Sequence, residues 1–133
     1  MSYIKKALAL VLLTAFALSF AKADLVELNP ENFKPIVHNP NKNVFVMFYA
    51  PWCGHCNHMK PEWQSLADKY SVDTDDTVIA RVDASAHMDV AKDNNVDGFP
   101  TLKLFTKTNK AGLPYTGPRE VDAFEAFLKQ NVE

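Results

Sequence analysis

The feature that most narrows the fold is the change of pattern across residues 44–56. Val44-Phe45-Val46-Met47-Phe48-Tyr49 is an unbroken apolar run. A strand with one wet face alternates polar and apolar residues. A run without a polar member suits a strand covered on both faces, and such strands lie centrally in α/β sheets. Pro51 and Gly54 punctuate the chain, and the period then changes. Met59, Trp63, Leu66, Ala67 and Tyr70 recur at three- and four-residue steps, which predicts a helix over 53–70 with one apolar face. Pro61 inside it predicts a kink, because proline lacks the N–H and crowds the preceding turn.

The rest of the chain repeats the alternation. Strands are predicted over 25–28, at an edge, and over 78–82, 101–105 and 115–116. Helices are predicted over 31–37, 86–94 and 120–131, the last burying Val121, Phe124, Phe127 and Leu128. Phe45, Phe48, Trp63 and Phe105 are further core residues. Thr101-Leu102-Lys103-Leu104-Phe105 alternates as a half-exposed strand should. Strands alternating with helices imply crossover units and a partly parallel sheet. The hairpin-length loop before 115–116 makes the last two strands antiparallel. The expected class is α/β, a central mixed sheet flanked by helices on both faces.

The first residues carry a different message. Lys5 and Lys6 precede an apolar run from Ala7 to Phe20, and Ala21-Lys22-Ala23 follows. That is the layout of a cleavable secretory signal over 1–23, and the run falls short of the ~20 residues of a spanning helix. The domain is then 24–133, with 11 basic against 16 acidic residues and a net charge near −5. A mildly acidic surface argues against nucleic acid and against a polybasic membrane patch as partners. The secretory route is oxidising, so a close cysteine pair can work there as a disulfide.

Cys53 and Cys56 are the two cysteines of the chain, and they stand where the buried strand gives way to the helix. The free N–H groups and the dipole at a helix N-terminus favour an anion, here the reactive thiolate of Cys53. Two intervening residues bring the second sulfur within bonding reach across one turn. His55, as a cation, favours the thiolate, stabilises the reduced pair and makes the disulfide a better oxidant. Pro51 and Trp52 offer an apolar rim for an unfolded chain. A purely structural disulfide over so short a loop constrains little. A zinc site built with His55 and His58 lacks the second ligand pair such centres use. Neither a metal nor a bound cofactor is expected. His38, His58 and His87 read as solvated side chains, and Asp73, Asp75 and Asp76 as a solvated turn.

The stretch Phe48-Tyr49-Ala50-Pro51-Trp52-Cys53-Gly54-His55-Cys56, followed by Met59-Lys60-Pro61-Glu62-Trp63, resembles the catalytic domain of protein disulfide isomerases. So do Arg81-Val82-Asp83-Ala84, Gly98-Phe99-Pro100-Thr101 and Tyr115-Thr116-Gly117-Pro118-Arg119, in the same order and spacing over 25–130. The resemblance implies a thioredoxin fold, with Cys53 as nucleophile, Cys56 as resolving thiol, and Gly54 and His55 in the catalytic motif. It implies a cis-proline at Pro100, which with Trp52 and Phe99 receives substrate. It also implies that Arg119 swings toward Cys56 and lowers its pKa. Implied substrates are unfolded or disulfide-containing polypeptides, with glutathione or a thiol oxidase returning redox equivalents.

Two positions depart from that pattern. Where the family carries a buried glutamate paired with a lysine, this chain has Met47 and Arg81. Met47 cannot accept the proton of the second cysteine, so slower resolution, or a route through water or Arg119, is expected. The last residues, Gln130-Asn131-Val132-Glu133, are not a retrieval signal of the Lys-Asp-Glu-Leu type, so both the endoplasmic reticulum lumen and secretion stay open. Three activities follow: disulfide oxidation and isomerisation, mainly oxidase or reductase action, or the holding of unfolded chains through Pro51, Trp52 and Phe99.

Overall fold

The computed structural model describes residues 25–133, so the expected signal segment lies outside the described residues. Five strands, β1 (Val26–Leu28), β2 (Asn43–Tyr49), β3 (Thr77–Asp83), β4 (Thr101–Phe105) and β5 (Leu113–Tyr115), form one sheet in the order β1-β3-β2-β4-β5. β1 and β2 run parallel to β3, whereas β4 is antiparallel to both β2 and β5. Four helices pack on it: α1 (Phe33–Val37), α2 (Gly54–Ala67), α3 (Met88–Asp93) and α4 (Val121–Asn131). This is the mixed sheet with helices on both faces that the patterns predicted.

β2 is central, and its side chains explain why. Val44, Val46 and Phe48 enter one core with Phe33, Val37, Val82, Val90 and Phe105, on the side of α1 and α3. Phe45 and Met47 enter the other, with Met59, Trp63, Leu66, Phe124 and Leu128 of α2 and α4. Every second residue therefore serves one layer, and burial on both faces removes the polar alternation. Trp63 locks α2 to the sheet: its ring lies 4.8 Å from that of Phe45, and its indole N–H donates to the Ala80 carbonyl at 3.0 Å.

Several boundaries differ from the expected ones. α2 ends at Ala67, and Lys69 and Tyr70 close turns onto Leu66 and Ala67 instead of adding a helical turn. The helix passes through Pro61 as one element. β5 lies at Leu113–Tyr115 rather than 115–116; Pro114 is tolerated because β5 is an edge strand with one ladder to fill. β4 keeps the predicted alternation, with Leu102 and Leu104 buried and Thr101 and Lys103 partly exposed. Lys103 is half-buried, and its ammonium donates to the Asn94 carbonyl at the end of α3. Of the helix 120–131, Phe124 and Leu128 are fully buried, and Val121 and Phe127 only half so.

Candidate active site

The site grows from the end of β2. Its last buried residue leads to Ala50, whose carbonyl accepts the N–H of Cys53 at 3.1 Å and closes a tight turn over Pro51 and Trp52. Cys53 is the N-cap of α2 in an extended conformation (φ −77°, ψ 115°), and its Sγ accepts the N–H of Cys56 at 3.2 Å. A cap satisfies one of the unpaired N–H groups that open any helix, and here a sulfur takes that position. The same bond places both cysteines on one turn. Asn57 ties the motif down, its amide donating to the Pro51 carbonyl at 3.0 Å.

Cys53 and Cys56 are buried with Ala50, and Tyr49 and Phe99 pack around them. Burial pushes the Cys56 thiol up to about 11, because a thiolate there loses its water, and hydrogen bonding to Cys53 adds to the rise. The Ala50 backbone and the Arg119 guanidinium pull the other way. Trp52 is 73% exposed and meets Phe99 edge-to-face at 5.8 Å. The Phe99–Pro100 peptide bond is cis. His55 and Gly54 lie on the open surface of the first turn, and a Cβ at Gly54 would meet no atom within 4 Å. Packing therefore places no demand for glycine at that position. His38 and His58 are exposed, and His87 is half-buried at the N-cap of α3.

Met47 and Arg81 face each other in register on β2 and β3. Met47 is buried, and with Arg81, Lys60, Pro61 and Trp63 it lines a cavity of about 280 Å³. The arginine does not turn into that cavity for a partner. Its Nε donates to Glu27 at 2.7 Å, and its guanidinium carbon lies 5.2 Å from the centre of the Tyr49 ring. The Tyr49 hydroxyl donates to the other Glu27 oxygen at 3.1 Å. Burial, with the Glu27 charge next, raises the Tyr49 phenol to about 12. Reading the sequence missed Glu27 and Tyr49 as a pair; the available signal was a lone charge in an otherwise apolar edge strand.

The strand-turn-helix brings together Trp52, Cys53, Gly54, His55 and Cys56, and Phe99 joins them from the loop before β4, with Pro100 next in the chain. Arg119 stands exposed after β5, on a groove of about 240 Å³ that also touches Pro100 and Thr101. Chemically, two thiols on one helical turn, one of them the N-cap, form a dithiol that can close to a disulfide and exchange.

Known proteins give the same picture. The chain is 47% identical to protein disulfide isomerase-like 2-2 of Oryza sativa subsp. japonica over 117 residues, 88% of this chain and 31% of that protein. It is 39% identical to protein disulfide-isomerase 1 of Dictyostelium discoideum, over 83% of this chain and 31% of that one. The chain thus spans about a third of the length of these relatives. Human ERp44 in its zinc-bound form superposes with a TM-score of 0.71 at 31% identity, over 80% of this chain and 30% of that one. The first thioredoxin domain of mouse protein disulfide-isomerase A4 gives 0.66 at 31%, covering 78% of this chain and 72% of the other. The profile of the family described as Thioredoxin matches residues 24–130. By this match and by the strand order around its capped cysteine, the chain belongs to the thioredoxin family.

Proposed function

We propose that the protein is a thiol–disulfide oxidoreductase and isomerase acting on polypeptides in the secretory pathway. The observation that carries this is the capped sulfur: Cys53 Sγ holds the Cys56 N–H at 3.2 Å beside an indole that is 73% exposed. Its relatives are named protein disulfide isomerases, which supports the same chemistry. In this reading Cys53 attacks a client disulfide, one client sulfur leaves as a thiol, and a mixed disulfide forms. Cys56 then attacks Cys53 and frees the reduced client, or the client's own thiol displaces Cys53 and the bond is rearranged. His55, exposed on the first turn of α2 between the two cysteines, is the polar side chain of the motif, and Trp52, Phe99 and Pro100 receive the client chain. Arg119 favours the Cys56 thiolate. Glutathione or a thiol oxidase restores the disulfide, and the lumen of the endoplasmic reticulum or a later compartment is the place of action.

Recovery of activity from scrambled ribonuclease tests the reading. Wild type is expected to speed recovery well above buffer, and Cys53→Ser to abolish the gain. No gain with wild type, or a full gain with Cys53→Ser, overturns it. The exposure of Trp52 favours one further activity, the holding of unfolded chains. A Cys53→Ser/Cys56→Ser double variant that still suppresses aggregation of a reduced client would establish that as separate from the redox step.

A further inference from the structure

The groove beside Arg119 starts one residue along the chain from the phenylalanine that covers the sulfurs. Phe99 packs on Cys53 and Cys56, and Pro100 and Thr101, which follow it, line the groove with Tyr115, Thr116 and Arg119. The ladder between β4 and β5 reaches only to Leu102 and Tyr115, so residues 100 and 101 have no strand beside them on that flank. Arg119 lines it too, on a loop held from two sides. The Tyr115 hydroxyl donates to the Pro118 carbonyl, and Gly117 lies so close to the ring that a Cβ there would sit 2.8 Å from the phenol oxygen. From α2, the Glu62 carboxylate accepts the Val121 N–H at 3.2 Å.

The guanidinium itself is exposed and makes no ion pair among the described residues, although Glu120 is its neighbour in the chain. Arg81 differs: its Nε is fixed to Glu27. A planar cation without a hydrogen-bond partner among the described residues, carried on an anchored loop that lines a groove, has the geometry that binds carboxylates in two-pronged fashion. We propose that this groove is a carboxylate subsite, in which Arg119 recognises an anionic group carried by the disulfide that Cys53 attacks. The chemistry fits glutathione disulfide and equally a client segment with an acidic residue beside its cysteine. The inference rests on the exchange reading above and adds a preference among its substrates.

In the glutathione case the Cys53 thiolate attacks one sulfur of the disulfide, the S–S bond breaks and one glutathione thiolate leaves. The Cys56 thiolate then attacks Cys53 and expels the second. The protein dithiol is oxidised by two electrons, two glutathiones are formed, and the two protons given up by the cysteines end on them. During the first step a carboxylate on Arg119 holds the partner in line.

The test compares an anionic with a neutral reagent. Reduced wild type and Arg119→Gln are each reacted with glutathione disulfide and with hydroxyethyl disulfide. Any effect of Arg119 on the cysteines themselves slows both reagents alike, so the ratio of the two rate constants isolates recognition. The ratio is expected to fall about five-fold in the variant, the scale of an exposed ion pair. About 0.5 M KCl should lower it in wild type and leave it unchanged in the variant. A second arm uses two peptide disulfides that differ by Asp or Asn beside the cysteine. A fall confined to glutathione names that ligand, a fall confined to the Asp peptide names client chains, and a fall in both names the shared group. Equal slowing of every reagent overturns the subsite and leaves the exchange reading intact. A wild type that reacts with none of them overturns the exchange reading, and the subsite with it.

Discussion

The two ends of the sheet are built by opposite rules. At the end where β2 begins, Asn43 is fully buried and every contact is spent. Its side-chain amide donates to the Glu133 carbonyl at 3.0 Å, and its Oδ1 accepts from Glu133 at 3.1 Å and from Lys107 at 3.3 Å. Lys42 is bonded to the Asp75 carbonyl at 2.6 Å, and Lys107 pairs with Asp76 at 2.9 Å. At the end where β2 stops, an indole lies in solvent, an arginine has no ionic partner among the described residues, and a half-buried phenylalanine covers two buried sulfurs. Both ends carry hydrogen bonds, Tyr49 and Arg81 on Glu27 at the cysteine end and Asn43 on Glu133 and Lys107 at the other, but only the Asn43 cluster is built on a fully buried polar side chain. The cysteine end is backed by Trp63, and the Trp52 rim and the Arg119 side chain stay open to solvent.

That contrast makes separable predictions. Cys53→Ser should lower disulfide exchange by about three orders of magnitude or more, since in the proposed reaction it removes the attacking atom. Its urea midpoint in the reduced state should match wild type; a large shift in stability would show that the two ends are not independent. Asn43→Leu should do the reverse. Stranding the Glu133 and Lys107 backbone groups costs roughly 2–4 kcal/mol, read as a lower urea midpoint, while the alkylation rate of Cys53 in the folded protein stays unchanged.

The raised Cys56 thiol links the site to stability. Its folded pKa of about 11 lies above the ordinary thiol value. The protonated form is therefore favoured by folding, and its contribution is full below the unfolded pKa and lost as pH climbs through the folded one. Reduced protein should lose on the order of 1–2 kcal/mol relative to the disulfide form between about pH 9 and 11. Chemical denaturation of both forms across that window checks the sign. Met47→Glu should give the smallest effect, about a five-fold faster release of a Cys53 mixed disulfide at neutral pH, because a carboxylate on β2 would accept the Cys56 proton. Stopped-flow resolution of a glutathione adduct measures it, and an unchanged rate would show that Cys56 already has another acceptor.

The sequence was most legible where one local rule decided the outcome. The apolar run 44–49 marked the central strand because burial on both faces leaves no alternation, and the change of period after Pro51 marked a helix N-terminus at the cysteines, which the structure makes an N-cap at Cys53. Sequence was least legible where distant segments decide. β5 is three residues long with a proline inside, so its place depends on pairing with Leu102 and Leu104 rather than on its own pattern. Lys103 reads as a solvent-facing residue, and only the fold brings the Asn94 carbonyl after α3 to its ammonium. Pro100 and Arg119 were assigned only through resemblance, since nothing in their own neighbourhoods points to cysteines some fifty residues away or more. The Glu27–Arg81–Tyr49 cluster joins three strands by register, and no window of sequence contains it.

The placement of the two tryptophans gives the chain an internal optical gauge. Trp63 is sealed in the core and Trp52 stands in water next to the cysteine turn, so their emissions separate into a blue and a red component. A disulfide quenches an excited indole at short range, and a dithiol does so less. The red component should therefore brighten on reduction while the blue one stays constant, which lets the redox state of the pair be followed in solution without a label.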